Sequence, residues 1–372
     1  MDKFGFVIHP IDSGLITRSF NEPGLDFMEP GALYGKRTVE RTLRWLPPFK
    51  CADITGVKSK TGKCIEGFFI FCPLIPEQML NMDQQFVLRK VVESCELAEK
   101  LGANMVGLGA YVSQVGRKGA QVDKRTKLPV TIGTSYTIAV AVASTLKAAR
   151  DVDFDLSTAS IAIVGASGGI GSICARLIAG ECRELILTAR NETRLDQIAG
   201  ILRKESKTKL TVTTDVRKAV RMADIILFST NDPNLLIGEE DLRPGAIVCD
   251  ISVPKNVSEE TVMKREDIIV IDGGIVSPPG DVNFNFYYGP PPGLAYACVA
   301  ETMILTLEGK FESYSIGGNV TIEKVMEISS LAEKHGFKVA EFRSFYGDIT
   351  KSRIEKTKAA IKKRKKHAES KA

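Results

Sequence analysis

The spacing of apolar residues changes along the chain and separates segments of different predicted structure. Before residue 134, short apolar runs alternate with glycines and prolines, and residues 52–80 predict two strands joined by a turn at residues 61–63. Between Met82 and Lys100, apolar side chains recur at the spacing of one helix face. This N-terminal region is therefore predicted to be an α/β domain, although the pattern leaves its strand order open.

From residue 134 onward the pattern becomes one of alternating helices and strongly apolar strands. A helix rich in small residues, TSYTIAVAVASTLKAARDV, leads into the β-branched segments SIAIV, ELILT, DIILF, AIVCD and DIIVI, which are apolar on both faces. Strands buried on both faces and separated by helices are typical of parallel sheets. The predicted fold class is therefore α/β, a Rossmann-type doubly wound parallel sheet with an N-terminal α/β domain and a C-terminal helical part.

Residues 160–178, SIAIVGASGGIGSICARLI, place several glycines between a buried strand and a helix. Glycines allow a sharp turn and let the N–H groups of the helix start approach a pyrophosphate. The second strand, ELILT, follows at the distance that a dinucleotide site requires. The residues predicted to contact the cofactor in this loop are Gly165, Ser167, Gly168, Gly169, Ile170 and Gly171.

The end of the strand ELILT discriminates between NAD and NADP. An acid at this point binds the ribose 2′-hydroxyl of NAD, whereas a cation binds the 2′-phosphate of NADP. This chain has no acid there, which favours NADPH, and a surface arginine that pairs with a helix acid is the alternative for Arg190. The predicted contacts at this and two further strand ends are Thr188, Arg190, Asn191, Arg194, Ser229, Thr230 and Gly273.

Positive charge is concentrated at the end of the chain. Residues 351–372 hold ten Lys and Arg against two Glu, which leaves 40 basic and 43 acidic residues before them. We expect a solvated, frayed basic tail with at most peripheral membrane contact and no nucleic-acid partner, or a helix extended over Ile354–Ile361. The chain lacks an apolar run of roughly 20 residues, a signal-peptide pattern and any CxxC pair, which favours a cytoplasmic protein with free thiols and no metal site.

The stretch AYACVAETM carries one cysteine, Cys298, which follows GPPPG and is therefore placed in the first turn of a helix. A helix start lowers the pKa of a thiol, which favours a nucleophile, although spacing alone favours a buried core thiol. Glu301 lies three residues on and shares its face, so its charge opposes the thiolate and its role is positioning or proton transfer. His9, after the first predicted strand, is the histidine that we carry as an active-site candidate, against a structural hydrogen-bonding role.

Several segments together resemble one family. They are FGFVIHP, VKSKTGKCIEGFFIFCPLIPEQML, TIGTSYTIAVA, VGASGGIGSICARL with ELILTARNETRLDQIA, and ACVAETMILTLEG with VTIEKVMEISSLAEKHGFK. Over residues 4–340 this combination resembles the long-chain acyl-[acyl-carrier-protein] reductases that form fatty aldehydes in cyanobacteria. The resemblance implies a Cys298 nucleophile, a phosphate loop at Gly165–Gly171, an NADPH-selecting Arg190 and activity aided by Mg²⁺.

The function implied by this resemblance is NADPH-dependent reduction of a long-chain acyl thioester to a fatty aldehyde through an acyl-enzyme on Cys298. The acyl donor is acyl carrier protein or coenzyme A, and an aldehyde-consuming enzyme is a further partner. The expected ranges are an acyl-binding α/β domain (1–133), an NADP-binding Rossmann domain (134–290), a C-terminal helical segment with the cysteine (291–350) and the basic tail (351–372). The alternatives are a shikimate-dehydrogenase-like NADP oxidoreductase without a covalent intermediate and a non-catalytic NADP-binding sensor.

Overall fold

The computed structural model describes residues 1–10 and 42–370, apart from residues 231, 233, 253, 254, 319, 342, 345 and 346. Two compact units are present, Met1–Thr137 with Val276–Lys338 and Ile138–Ile275 with Val339–Ala372, and each contains one six-stranded sheet. The predicted α/β fold class is confirmed. No helix in the described ranges combines the length and the apolar character that crossing a membrane requires.

The described strands are β1 (Lys3–Ile8), β2 (Phe49–Lys58), β3 (Cys64–Phe71), β4 (Met105–Leu108), β5 (Val130–Thr131), β6 (Ser160–Val164), β7 (Glu184–Thr188), β8 (Lys209–Thr213), β9 (Ile225–Phe228), β10 (Ile247–Asp250), β11 (Ile269–Ile271), β12 (Ile275–Ser277), β13 (Gly280–Asn283), β14 (Ala295–Tyr296), β15 (Lys338–Val339), β16 (Arg343–Ser344) and β17 (Gly347–Asp348).

The described helices are α1 (Pro76–Asn81), α2 (Gln84–Lys100), α3 (Val115–Lys118), α4 (Ala120–Asp123), α5 (Thr134–Asp151), α6 (Gly169–Ile178), α7 (Glu192–Glu205), α8 (Val216–Met222), α9 (Glu259–Lys264), α10 (Ala297–Glu308), α11 (Ile322–His335) and α12 (Lys351–Glu369). Short 3₁₀ helices span Ala110–Gln114, Leu156–Thr158 and Glu239–Asp241.

The sheet of the first unit has the order β13-β2-β3-β1-β4-β5. Strands β1, β3, β4 and β5 run parallel, β2 lies antiparallel to β3, and β13 lies antiparallel to β2. The predicted hairpin and the predicted helix after it are thereby confirmed as β2–β3 and α2. Because parallel strands end at one edge, His9, Gly109 and Gly133 follow the ends of β1, β4 and β5 at the same edge.

The two faces of this sheet carry different helices. Helix α2 packs on one face, where its Val87 and Val91 join Val7 in a fully buried cluster. Helix α10 packs against the same strands on the other face. Successive side chains of a strand point to opposite faces, so each strand contributes residues to both packing layers. A Cβ on Gly107 of β4 would lie 2.2 Å from Thr302 Oγ1, so this glycine permits the close approach of α10.

The sheet of the second unit has the order β11-β10-β9-β6-β7-β8 with every pair parallel. This is the order of the doubly wound dinucleotide-binding fold, and its switch point lies between β6 and β9. The strands predicted from apolar segments are β6, β7, β9, β10 and β11. Strand β8 was not predicted, because an edge strand with mostly half-buried and polar residues lacks the apolar run that marks the other strands.

The predicted frayed tail is wrong for the described residues 351–370, where the alternative of a helix over Ile354–Ile361 is confirmed as α12, one face of which packs on the second unit. Ile361 is buried against Gly245, where an added Cβ would lie 2.5 Å from Ile361 Cγ1. Arg364 donates to Asp224 at 2.6 Å, and Arg353 donates to the Arg265 carbonyl at 3.0 Å. These anchors share one helix face, so half of the basic run is used internally.

The functional division into four ranges stays a prediction. In the structure, α10 and α11 lie in the first unit, together with the N-terminal sheet, whereas α12 lies in the second unit. The range 291–350 is thus divided between the two units.

Candidate cofactor loop and active-site cysteine

The glycine loop lies in the second unit, between the end of β6 and the start of α6. Gly165 has φ +89°, and an added Cβ there would lie 2.7 Å from the Ser229 carbonyl oxygen. An added Cβ on Gly171 would lie 2.3 Å from the Gly165 carbonyl oxygen and 2.7 Å from Ser229 Oγ. Both glycines are therefore required by close backbone packing at the switch point, where dinucleotides bind in this fold.

The same loop fits a phosphate-bearing ligand. Gly168 is the N-cap of α6 and contributes no side-chain hydrogen bond, while a Cβ placed on it would meet only the Gly165 carbonyl oxygen, at 3.2 Å. Ser167, Gly169 and Ile170 are partly exposed. The hydroxyl of Thr188 is buried and has no hydrogen-bond partner within the described part of the chain. An uncapped helix start beside an unpaired hydroxyl is the arrangement that a pyrophosphate and its ribose would complete.

The residues predicted around this loop have separate local roles. Arg190 is 81% exposed and its Nη1 lies 3.5 Å from Asp232 Oδ2, so it forms a surface ion pair, although its partner follows β9 and is not the helix acid of the alternative. Asn191 caps α7 by accepting the Arg194 N–H at 2.9 Å, and the Arg194 side chain is exposed.

Ser229, Thr230 and Gly273 follow the strand ends as predicted. Ser229 Oγ donates to the Val164 carbonyl at 3.0 Å, and the Thr230 N–H donates to Ser252 Oγ at 3.2 Å. A Cβ on Gly273 would lie 2.2 Å from Cys249 Sγ, which gives this glycine a packing role. These contacts hold the carboxyl edge of the second sheet in place.

Cys298 lies in the first turn of α10, as the sequence predicts, and is partly buried. Desolvation raises its pKa to about 12, the N–H of Val299 lowers the pKa, and the charge of Glu301 raises it further. The expectation of a thiolate favoured by the helix start is therefore wrong for the ligand-free protein, because desolvation outweighs the helix start. Burial therefore favours the neutral thiol over the thiolate at this position.

Glu301 is fully buried and faces the turn between β5 and α5. Its Oε1 accepts a hydrogen bond from Thr131 Oγ1 at 2.5 Å, and its Oε2 accepts the Tyr136 N–H at 2.7 Å. Desolvation raises the pKa of this carboxyl group, while these donors lower it. Both oxygens are thus occupied by neutral donors, an arrangement that the local sequence around Glu301 does not reveal.

His9 is buried and both of its ring nitrogens contact backbone. Its Nδ1 donates to the Pro10 carbonyl at 2.9 Å, and its Nε2 accepts the Tyr111 N–H at 3.1 Å. Desolvation lowers its pKa to about 4. The structural hydrogen-bonding role that was the alternative for His9 fits these contacts, since a neutral ring with two backbone partners has no free nitrogen to act as a base.

Three residues around Cys298 were missed by the sequence analysis. Gly133 has φ +73°, and an added Cβ there would lie 2.2 Å from both Cα and Cβ of Cys298. Ser315 Oγ accepts the Ser135 N–H at 3.1 Å and so caps the same helix start. Tyr288 donates to the Leu294 carbonyl at 3.2 Å and interacts electrostatically with Cys298. The glycine before TSYT was the one local signal available for this set.

Within the described ranges, no three or more His, Cys, Asp or Glu side chains lie close enough together to hold one metal ion. The Mg²⁺ implied by the resemblance therefore has no identified ligands, and no step is assigned to it.

One family model matches the second unit, and several known proteins are similar to the chain. The family model of shikimate / quinate 5-dehydrogenase matches residues 147–272, which span most of the second unit. The chain is 29% identical to the aminotransferase PigE of a Serratia strain over 360 residues, which is 95% of this chain but only 41% of that protein. L-tryptophan dehydrogenase from Nostoc punctiforme has 10% sequence identity and a TM-score of 0.42, and the match covers 97% of this chain and 89% of that structure.

The long-chain acyl-[acyl-carrier-protein] reductase of Synechococcus elongatus is 30% identical over 306 residues, which is 78% of this chain and 87% of that protein. The chain belongs to the family of this reductase. The family and the matching dehydrogenase model agree with an NAD(P)-dependent oxidoreductase fold, in which the second unit is the part suited to a nicotinamide dinucleotide.

Proposed function

We propose that this chain reduces a long-chain fatty acyl thioester to a fatty aldehyde, with NADPH as reductant and Cys298 as acyl carrier. The observation that carries the proposal is the location of Cys298, a partly buried thiol in the first turn of α10 with the start of α5 packed on it through Gly133. The similarity to the Synechococcus reductase supports the choice of substrate.

The first half-reaction transfers the acyl group. Cys298 Sγ bonds to the thioester carbonyl carbon, the bond between that carbon and the donor sulfur breaks, and the Cys298 proton passes to the departing thiol. One thioester replaces another, so the exchange is close to balanced in energy. Burial raises the pKa of Cys298 and favours the neutral thiol, so we place loss of its proton within the transfer step.

The second half-reaction regenerates the thiol. When bound, NADPH supplies the hydride that reduces the enzyme-held thioester. The resulting hemithioacetal then collapses, the bond from carbon to Cys298 Sγ breaks, and aldehyde departs as Cys298 regains a proton. Thiolate is a better leaving group than an alkoxide, which is why a cysteine suits this step better than a serine.

Aromatic side chains of the first unit keep the region beside Cys298 dry. The ring centroid of Tyr288 lies 4.8 Å from that of Phe69, 5.0 Å from that of Phe284 and 5.8 Å from that of Tyr296. This cluster covers the sheet beside the start of α10. Exclusion of water protects an acyl-enzyme against hydrolysis, and apolar rings suit a long acyl chain.

NADPH is preferred over NADH through Arg190 at the end of β7. Its exposed guanidinium is free to exchange the Asp232 carboxylate for a 2′-phosphate, which offers more charge and a bidentate geometry. Acyl carrier protein and coenzyme A both remain candidate donors, and an aldehyde-consuming enzyme is the partner that such a product requires.

The deciding experiment is intact-protein mass spectrometry after incubation with palmitoyl-coenzyme A in the absence of NADPH. We expect a mass gain of one palmitoyl group in the wild type and in the matched variant Cys64→Ala, which removes an exposed thiol elsewhere. Cys298→Ala should show no gain. A palmitoyl adduct that persists in Cys298→Ala would contradict the proposal, as would a wild type that stays unmodified both with palmitoyl-coenzyme A and with palmitoyl-[acyl carrier protein].

A second candidate function rests on the shikimate / quinate 5-dehydrogenase match over residues 147–272. It is an NADP-dependent oxidation or reduction without a covalent intermediate. Cys298→Ser separates the two candidates, because only the non-covalent mechanism predicts full activity in that variant.

A further inference from the structure

Two helices have their first turns next to Cys298. Helix α10 carries the cysteine in its first turn, and α5 begins at Thr134, directly after Gly133. The close approach of Gly133 to Cys298 leaves no space for a side chain, since an added Cβ would lie 2.2 Å from Cys298 Cα and Cβ. The turn between β5 and α5 therefore covers one side of the cysteine.

Glu301 accepts hydrogen bonds from both ends of that turn. Its Oε1 accepts from Thr131 at the end of β5, and its Oε2 accepts the Tyr136 N–H in the first turn of α5. Thr131 Oγ1 in turn accepts the Gly133 N–H at 3.2 Å. The first N–H groups of a helix have no partner inside the helix, so Glu301 serves as an N-cap from 165 residues away.

Capping a helix with a buried carboxylate costs desolvation free energy. Glu301 is fully buried and forms no ion pair with a cation of the described residues, whereas Ser315 caps the neighbouring Ser135 N–H with a neutral hydroxyl. The longer carboxylate side chain offers two acceptor oxygens, which bond to Thr131 before Gly133 and to Tyr136 after it. The titratable groups that face it are Cys298 on its own helix and Tyr314 from the segment before α11.

We infer that Glu301 is a positioning residue, whose carboxylate holds Gly133 against Cys298 and thereby fixes the thiol for acyl transfer. This inference rests on the proposed role of Cys298. It assigns no proton transfer to Glu301, because both carboxylate oxygens already accept hydrogen bonds from the turn.

The test uses the full chain with two isosteric variants and one control. Glu301→Gln keeps one acceptor and removes the charge, and Thr131→Val removes the donor to Glu301 and keeps the charge. Thr306→Val is the matched control, since Thr306 is equally buried in α10 but its hydroxyl bonds only to the Thr302 carbonyl of the same helix. Palmitoyl-coenzyme A measures acylation of Cys298 in a single turnover, and iodoacetamide with peptide mapping measures the exposure of its thiol.

Loss of positioning should slow acylation in both variants by about tenfold or more. Alkylation of Cys298 should become faster, because a loosened turn uncovers the thiol. Glu301→Gln alone should also shift the alkylation profile to lower pH, since removal of a negative charge lowers the pKa of a neighbouring thiol. The dissociation constant for NADPH should stay within about twofold of the wild type, and Thr306→Val should match the wild type throughout.

Slower acylation together with faster alkylation supports positioning only if Tm and the dissociation constant for NADPH stay at their wild-type values, because general destabilisation would also expose the thiol but would lower Tm. The inference is overturned if both variants acylate and alkylate like the wild type, or if they lose NADPH binding and thermal stability in step with acylation. The iodoacetamide experiment needs no acyl substrate. A wild type that is never acylated would therefore refute the proposed function alone, while faster alkylation in both variants at an unchanged Tm would still support the positioning role.

Discussion

Two turns of this chain share the order strand, glycine, helix, but they differ in what occupies the start of the helix. In the turn from β6 to α6, Gly168 brings no side-chain cap, and the hydroxyl of Thr188 nearby has no partner among the described residues. In the turn from β5 to α5, Gly133 packs against Cys298 while Glu301 caps the helix. The first turn is open to a phosphate, and the second is filled by the protein itself.

The difference teaches that a glycine between a strand and a helix marks a close approach and does not identify the approaching group. Backbone N–H groups at a helix start attract any acceptor, whether a pyrophosphate or a carboxylate of the same chain. In the proposed function, the open turn is assigned to cofactor binding and the closed turn to the geometry of the cysteine. Variants of the two turns should impair different half-reactions.

The largest effect is expected from Gly133→Ala in the closed turn. The new Cβ would overlap Cys298, and the alanine backbone would be held at φ +73°. The acyl-enzyme should therefore be undetectable, and the free energy of unfolding should fall by about 2–4 kcal/mol. Gly102→Ala is the control, because Gly102 has φ +84° with no atom within 4 Å of the added Cβ. It should lose about 1 kcal/mol in a thermal melt and acylate normally. Normal acylation in Gly133→Ala would mean that the turn does not position the cysteine.

Gly171→Ala in the open turn should have the next largest effect. Its Cβ would collide with the Gly165 carbonyl, so the dissociation constant for NADPH, measured by fluorescence titration, should rise about 100-fold, or 2.7 kcal/mol. Acylation of Cys298 without NADPH should stay normal. Gly180→Ala, whose Cβ would meet nothing within 4 Å, serves as the control. If Gly171→Ala abolished acylation and left NADPH binding intact, the assignment of the two turns would have to be reversed.

Arg190→Ala sharpens the assignment of the open turn to NADPH. Loss of a charged hydrogen bond to the 2′-phosphate should raise KM for NADPH about tenfold and leave KM for NADH unchanged, which steady-state kinetics with both cofactors will show. Arg203→Ala removes an exposed arginine from the last turn of α7 and should change neither value. An equal rise of both KM values would exclude selection by Arg190.

The smallest effect is expected from Arg364→Ala, which touches neither turn. Asp224 loses its 2.6 Å partner but keeps its Oδ2 bond from the Ser160 N–H. The free energy of unfolding should fall by about 1–3 kcal/mol, visible as a lower Tm, while both half-reactions remain normal at 25 °C. Lys362→Ala on the exposed face of α12 should leave Tm unchanged, and an equal loss in that variant would contradict the anchoring role of Arg364.

The sequence predicted the open turn because its signals are local. The apolar strand, the glycines and the following helix are contiguous, so Gly165–Gly171 could be assigned without tertiary information. The closed turn was hidden because its partners are far apart in sequence, with Thr131 and Tyr136 separated from Glu301 by 170 and 165 residues.

Long-range packing also explains the other differences. The pKa of Cys298 is set by burial under residues that the helix-start argument does not include. The two nitrogens of His9 are occupied by backbone that is brought together by β1 and the 3₁₀ helix after β4. The basic run at residues 351–370 was read as solvated because its anchors, Asp224 and Gly245, lie more than 100 residues earlier.

The docking of α12 also determines where a reporter group can be attached. Phe154, Asp224 and Gly245, which contact α12, precede the amino ends of β6, β9 and β10, whereas the glycine loop follows the carboxyl end of β6. A fluorophore on the outward side of α12, for example on a cysteine introduced at Lys362, would therefore sit at the opposite edge of the second sheet from the nucleotide. It would report melting of that unit without obstructing cofactor entry.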